Sequence, residues 1–299
     1  MILSVRDVTK SYGKDPVLKG VSFELAEAQI TALVGPNGSG KSTLLNIIAN
    51  LLPADTGTVT VLGSSNKDTK MFRHVSFMQD NIVLYDYLTG YDHLQFICEV
   101  QGLSEDQLLA AAERIGITSY LRKKVKNYSL GMKQHLLLAM AIVNQPKLLI
   151  LDEPLNGLDP TSAIRVRELL LSLRAEGTTI LLSSHNLAEI DRVTSAILFL
   201  KNGELIQEDL AAFEQIRYQI TALPLEKALQ TLETAGIPFE QADGNLRFLE
   251  KACTLDRVLQ ELTQQGVTIQ DIDKNISGSE ERYRMIFGGG AKADAPAEV

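Results

Sequence analysis

Gly35-Pro36-Asn37-Gly38-Ser39-Gly40-Lys41-Ser42-Thr43 has the spacing G-x-x-x-x-G-K-[ST], the pattern of a loop that cradles phosphates. The preceding run Ile30-Thr31-Ala32-Leu33-Val34 reads as a buried strand, and Thr43-Leu44-Leu45-Asn46-Ile47-Ile48 as the helix that follows. Glycines let such a loop turn its backbone N–H groups inward at phosphate oxygens, and the helix N-terminus adds partial positive charge. In this pattern Lys41 reaches the β- and γ-phosphates, and the Ser42 hydroxyl ligates Mg²⁺. The chain is therefore expected to bind a nucleoside triphosphate.

Further along, Leu148-Leu149-Ile150-Leu151-Asp152-Glu153-Pro154 is an apolar strand ending in two carboxylates. Alone it reads equally well as an acidic loop after a core strand. With a phosphate cradle in the same domain, Asp152 becomes the metal-side carboxylate, acting usually through water. Glu153, one residue on, is then placed to polarise a water for in-line attack on the γ-phosphate.

Composition sets the class. The 299 residues are 45% hydrophobic and 22% charged, as in an ordinary soluble globular protein, and the formal net charge of -8 argues against a nucleic-acid surface. Cys98 and Cys253 lack metal spacing and read as buried or free thiols in a reducing compartment. Arg6 and Asp7 bring charge too early for a secretory signal. The apolar run at 136–143 falls well short of the ~20 residues a membrane span needs. A membrane process would need a partner to supply the membrane part.

Residues 1 to about 205 alternate strand-like pieces (2–8, 21–25, 30–34, 74–78, 148–151, 179–183 and 196–201) with helix-like ones, predicting an α/β domain. A predominantly helical insert is expected at about 88–145. From 206 the pattern becomes strand 218–222, helix 225–235, strands 237–241 and 246–249, helix 255–265 and strand 267–272. That βαββαβ order predicts a small α+β, ferredoxin-like module over 206–287. The stretch 288–299 has no core-forming residues and reads as a disordered tail or cloning remnant.

The same residues resemble the ATP-binding subunits of ABC (ATP-binding cassette) transporters over 1 to about 205, with every family motif in its expected order. Tyr12, by itself a surface tyrosine, matches the aromatic that stacks on adenine. Gln79, by itself one glutamine among many, matches the residue that contacts Mg²⁺ and the attacking water and opens the permease-facing loop. Tyr128-Ser129-Leu130-Gly131-Met132-Lys133-Gln134 matches the signature usually written LSGGQ, with Leu130 in place of a Gly. The resemblance implies that Ser129 and Gly131 cap the γ-phosphate of ATP bound to the opposite subunit. Asp159, in Asn156-Gly157-Leu158-Asp159-Pro160, matches the loop that couples two composite sites. His185, just past a strand, matches the γ-phosphate-sensing switch, and His135 stands where many relatives carry Arg. His74 and His93 have no such context.

The resemblance implies the P-loop NTPase fold of an ABC ATPase, with antiparallel β and helical subdomains, in a head-to-tail dimer. A homodimer suffices, because all catalytic residues are present; a heterodimer with a second ATP-binding subunit is the other arrangement. The Ser-x-Gly-Met-Lys-Gln form is similar to the branch serving small multidrug, lantibiotic or polysaccharide export permeases. That implies separate permease chains and a peripheral place on the cytoplasmic face of a bacterial membrane. Leu84, Tyr85, Tyr87 and Leu88 read either as the rim of a permease-docking groove or as core of the helical insert. The rival assignment is a soluble, non-transport ABC ATPase of the cluster-assembly kind.

Overall fold

Alternating burial shapes the first two strands, Leu3–Tyr12 (β1) and Asp15–Leu25 (β2), which pair antiparallel with Leu3 opposite Leu25 and Val5 opposite Phe23. The structure is a computed structural model describing residues 1–209, 216–242, 244–276 and 279–288. The expected tail lies outside the described residues from 289 onward. The chain divides into two compact units, Met1–Asp209 and Leu210–Val299.

Ile30–Val34 (β3) is buried at every position, as a parallel strand covered on both faces must be. It feeds the 35–43 loop and the helix Lys41–Ile48 (α1). Thr56–Val61 (β4) pairs antiparallel with β1, and Ser64–Ser65 (β5) completes a sheet in the order β2-β1-β4-β5. Next come Val75–Met78 (β6), the helices Gly90–Gln101 (α2), Glu105–Ile115 (α3) and Leu130–Ile142 (α4), and the strand Leu148–Leu151 (β7). Pro160–Ala175 (α5), Thr179–Ser184 (β8), Leu187–Ile190 (α6), Ala196–Lys201 (β9) and Glu204–Asp209 (β10) close the unit, four residues past the boundary that composition suggested.

The second sheet has the order β10-β9-β3-β8-β7-β6, with β10 antiparallel at its edge and every other neighbour parallel. This order brings the C-terminal ends of β3, β8, β7 and β6 side by side. The segments that follow them begin with Gly35, His185, Asp152 and Gln79. Ligands of open α/β sheets collect at such an edge.

Helix α1 lies in the core common to both sheets. Its Leu44, Leu45, Ile47 and Ile48 cluster with Leu3, Val5 and Phe23 of the first sheet and Leu33, Ile150 and Leu181 of the second. Each such side chain contributes about 1.5–3 kcal/mol by leaving water. The buried Asn66 amide donates to the Ile47 and Ile48 carbonyls at 2.8 and 3.4 Å, finishing the C-terminal end of α1. The base of the 35–43 loop is thus fixed to the most buried helix of the unit.

The second unit consists of Ile216–Leu223 (β11), Leu225–Thr234 (α7), Glu240–Ala242 (β12), Asn245–Leu249 (β13), Leu255–Gln264 (α8), Thr268–Ile276 (β14) and Ser279–Phe287 (α9). Its sheet is antiparallel throughout, in the order β12-β13-β11-β14, which is the ferredoxin-like arrangement. A core of its own, including Tyr218, Ile220, Leu232, Phe248 and Leu262, holds it together.

Candidate active site

Gly40 takes a left-handed backbone, φ +102°, at the turn from loop into α1, and a Cβ there would meet Val17 Cγ1 at 2.9 Å. At Gly35 a Cβ would lie 2.6 Å from the Leu200 carbonyl oxygen and 2.6 Å from Ser39 Oγ. Only glycine fits at either place. No side chain caps α1, and helical bonding begins with Leu44 N–H donating to the Gly40 carbonyl at 2.9 Å. The N–H groups of Lys41, Ser42 and Thr43 therefore have no partner within the helix.

Lys41 is buried, and its ammonium donates to the carbonyls of Gly35 at 2.7 Å and Pro36 at 3.2 Å. An ammonium has three donors, so one remains. Ser39 Oγ is buried without a hydrogen-bond partner. A loop rich in inward donors, with an orphan hydroxyl and a lysine against its own carbonyls, fits the phosphates of a nucleotide.

Gln79 follows β6 and reaches the loop's helix through a side chain that sequence reading missed. Its Nε2 lies 3.5 Å from Asn46 Oδ1, and Asn46 Nδ2 donates to the Ser42 carbonyl at 2.8 Å. The signal was available: Asn46 is four residues after Ser42 and shares its helix face.

Asp152 and Glu153 leave the end of β7 on a second relay. Ser183 Oγ donates to Asp152 Oδ1 at 2.5 Å and accepts the Glu153 N–H at 2.9 Å. Ser183 is fully buried in β8, two residues before His185. Glu153 has φ +49°, a left-handed conformation that costs a non-glycine residue energy and persists only when neighbours hold it. Gln134, a second residue that sequence reading did not single out, supplies the other hold, donating to the carbonyls of Glu153 at 3.2 Å and Pro154 at 2.9 Å. His185 Nδ1 lies 2.9 Å from Glu153 Oε2. The site thus pairs a carboxylate with an imidazole beside a phosphate-shaped loop. Ser42, Gln79 and Asp152 each carry an oxygen donor, the kind that a hard divalent cation prefers.

Other expected residues sit elsewhere. Ser129 is the N-cap of α4, its Oγ accepting the Met132 N–H at 3.2 Å. Asp159 caps α5, accepting from Thr161 N–H, Ser162 N–H and the Ser162 hydroxyl, and these bonds, led by the hydroxyl, hold its carboxyl below the usual range. Among the described residues, no hydrogen bond joins Ser129, Gly131 or Asp159 to the 35–43 loop. Tyr12 is 51% exposed at the end of β1, with Lys10 Nζ 6.0 Å from its ring centre.

The docking rim divides in two. Leu84 is buried in the insert, whereas Tyr85 and Tyr87 are exposed with ring centres 5.7 Å apart. Beside Gln79, a groove of about 440 Å³ is lined by Phe77, Val83, Phe96, Val100, Leu137 and Met140. Phe96 and Val100 are 67% and 68% exposed, an unusual state for large apolar side chains on neighbouring turns of a helix.

The sequence profile of the family described as ABC transporter matches residues 18–156. An ABC transporter ATP-binding protein of Bacillus subtilis is 38% identical over 253 residues, 82% of this chain and 82% of that protein. The chain belongs to the ABC transporter ATP-binding family. A lantibiotic transport ATP-binding protein of Streptococcus pyogenes is 37% identical, covering 69% of this chain and 90% of its own length. Among solved structures, the ATP-binding subunit of an ABC transporter superposes with a TM-score of 0.66 at 27% identity, over 88% of this chain and all of that one. A dimeric, post-hydrolysis ATP-binding cassette bound to ADP and Pi gives a TM-score of 0.65 at 26% identity, over 70% of this chain and 99% of that one. This chain is accordingly an ATP-binding, ATP-hydrolysing subunit of an ABC transporter. Such subunits dimerise and work with membrane permeases, and among the described residues no helix is long and apolar enough to cross a membrane.

Proposed function

We propose that this subunit powers an exporter, hydrolysing MgATP in a head-to-tail homodimer on the cytoplasmic face of a bacterial membrane, beneath permease chains encoded separately. The observation that carries this reading is the carboxylate of Glu153. The Glu153 backbone is fixed by Ser183 and Gln134, its carboxylate pairs with His185 at 2.9 Å, and the residue leaves the same sheet edge as the 35–43 loop.

In this scheme Gly35, Pro36, Asn37, Gly38, Ser39, Gly40, Lys41, Ser42 and Thr43 bind the phosphates, and Tyr12 stacks on the base. Glu153 takes a proton from the attacking water while His185 senses the γ-phosphate. Ser42, Gln79 and Asp152 hold Mg²⁺, which neutralises charge on the phosphate oxygens when bound. Ser129 and Gly131 address the nucleotide of the opposite subunit, and Asp159 lies in the loop linking the two sites.

A complete catalytic set in one chain supports the homodimer. The names of the lantibiotic and bacitracin transport relatives support export and disfavour a non-transport ATPase. The exposed Phe96–Val100 groove beside Gln79, with Tyr85 and Tyr87, supports docking of a permease segment there.

Glu153→Gln tests the scheme. Loss of a general base should cut turnover by about 10²–10⁴-fold. The variant should elute as an ATP-dependent dimer on a sizing column. Undiminished hydrolysis would refute the role of Glu153, and a monomer at saturating MgATP would refute the dimer.

A further inference from the structure

Where the family signature places a glycine, this chain has Leu130, and the structure gives that side chain a specific seat. Leu130 opens α4 directly after the Ser129 cap and is 51% exposed. Its side chain lies on Gly157, whose backbone is left-handed at φ +73°. A Cβ at Gly157 would overlap the Leu130 Cδ2 methyl and lie 3.1 Å from Cγ. The neighbouring contact is its mirror: Leu158 Cδ2 lies 3.7 Å from where a Cβ on Gly131 would stand. Each leucine therefore covers the glycine of the other segment. One helical turn further on, Gln134 clamps the Glu153 and Pro154 carbonyls.

We propose that Leu130 is a positioning residue for ATP hydrolysis. With Leu158 it forms a reciprocal leucine-on-glycine lock that makes the first turns of α4 and the 153–158 segment move as one body. Gln134 holds the end of that segment bearing Glu153, and the leucine pair holds the end that runs into Asp159. The inference rests on the head-to-tail reading above. There Ser129 faces the partner's nucleotide and Glu153 its own, so a rigid link within one subunit ties closure at one composite site to carboxylate placement at the other. Apolar contact suits this role, because it fixes distance without adding charge near the phosphates. A glycine at 130 would leave Gly157 uncovered and the link dependent on Leu158 and Gln134.

The test uses the purified full chain with Leu130→Gly, Leu130→Met and Leu158→Ala. Steady-state ATP hydrolysis is read alongside ADP affinity and melting temperature. Misplacement of the catalytic carboxylate in Leu130→Gly should lower kcat by about tenfold. ADP affinity, which draws on the 35–43 loop and Tyr12 rather than on Leu130, should stay within about twofold of the parent. Leu130→Met, which refills the seat, should restore kcat, and Leu158→Ala should give the same split from the other side. Wild-type kcat in both Leu130→Gly and Leu158→Ala would overturn the lock. So would a fall in ADP affinity that matches the fall in kcat. Glu153→Gln in the otherwise unaltered chain separates the two readings: failure to dimerise with ATP sinks the head-to-tail arrangement. Dimerisation together with unaltered kinetics in both Leu130→Gly and Leu158→Ala sinks only the lock.

Discussion

At the scale of single residues, the proposed base Glu153 is held by a buried serine on the neighbouring strand. Ser183 holds Glu153 by its backbone and Asp152 by its side chain, so one hydroxyl sets both carboxylates. Ser183→Ala leaves a Glu153 N–H without its acceptor, at a cost of about 1–3 kcal/mol. The expected result is a melting temperature lower by several degrees, with kcat reduced by about tenfold or more. Calorimetry and steady-state kinetics on one preparation read both, and an unchanged kcat would show that the strained Glu153 backbone is held without Ser183. Sequence made the loop legible because its glycines and lysine serve one purpose at fixed spacing. Ser183, Asn46 and Gln134 were less visible, since each acts through hydrogen bonds to residues far along the chain or to backbone atoms. Serine, asparagine and glutamine bond in this way everywhere, and composition does not mark the ones that matter.

Among elements, the strands legible in the sequence were those with no polar alternative. Ile30–Val34, Leu148–Leu151 and Ala196–Lys201 are apolar runs whose bounds agree with the reading. The missed strands were β4, β5 and β10. In Thr56–Val61 only Val59 and Val61 are buried apolar residues, and Glu204–Asp209 is an edge strand of mostly polar side chains. Such segments become strands because a neighbour offers a ladder, information their own sequence lacks. At the α2 groove the sequence left Leu84 open between docking rim and insert core; it turned inward, while Phe96 and Val100, which the reading did not single out, lie outside. Tyr85→Ala with Tyr87→Ala, and separately Phe96→Asp, should leave basal ATP hydrolysis intact while lowering the amount of permease that co-purifies from membranes. Equal loss of both would place these side chains in the insert's packing.

For the whole molecule, each unit has its own apolar core, and every catalytic candidate lies in the first. Residues 1–209 expressed alone should therefore bind ATP with the affinity of the full chain, by calorimetric titration. A large loss would mean that the second unit completes the site. The βαββαβ order of that second unit was readable because helix and strand periods alternate cleanly, whereas α9, following so polar a strand, was not. Its sheet ends on β14, nine residues long. That flank exposes Asp271, Ile272, Asp273 and Lys274, and the Asp271 carboxylate accepts the Ile272 N–H at 2.8 Å. An added strand would lose that donor and would bring carboxylates against its own chain. Copies of the subunit are thus kept from polymerising edge to edge along this flank.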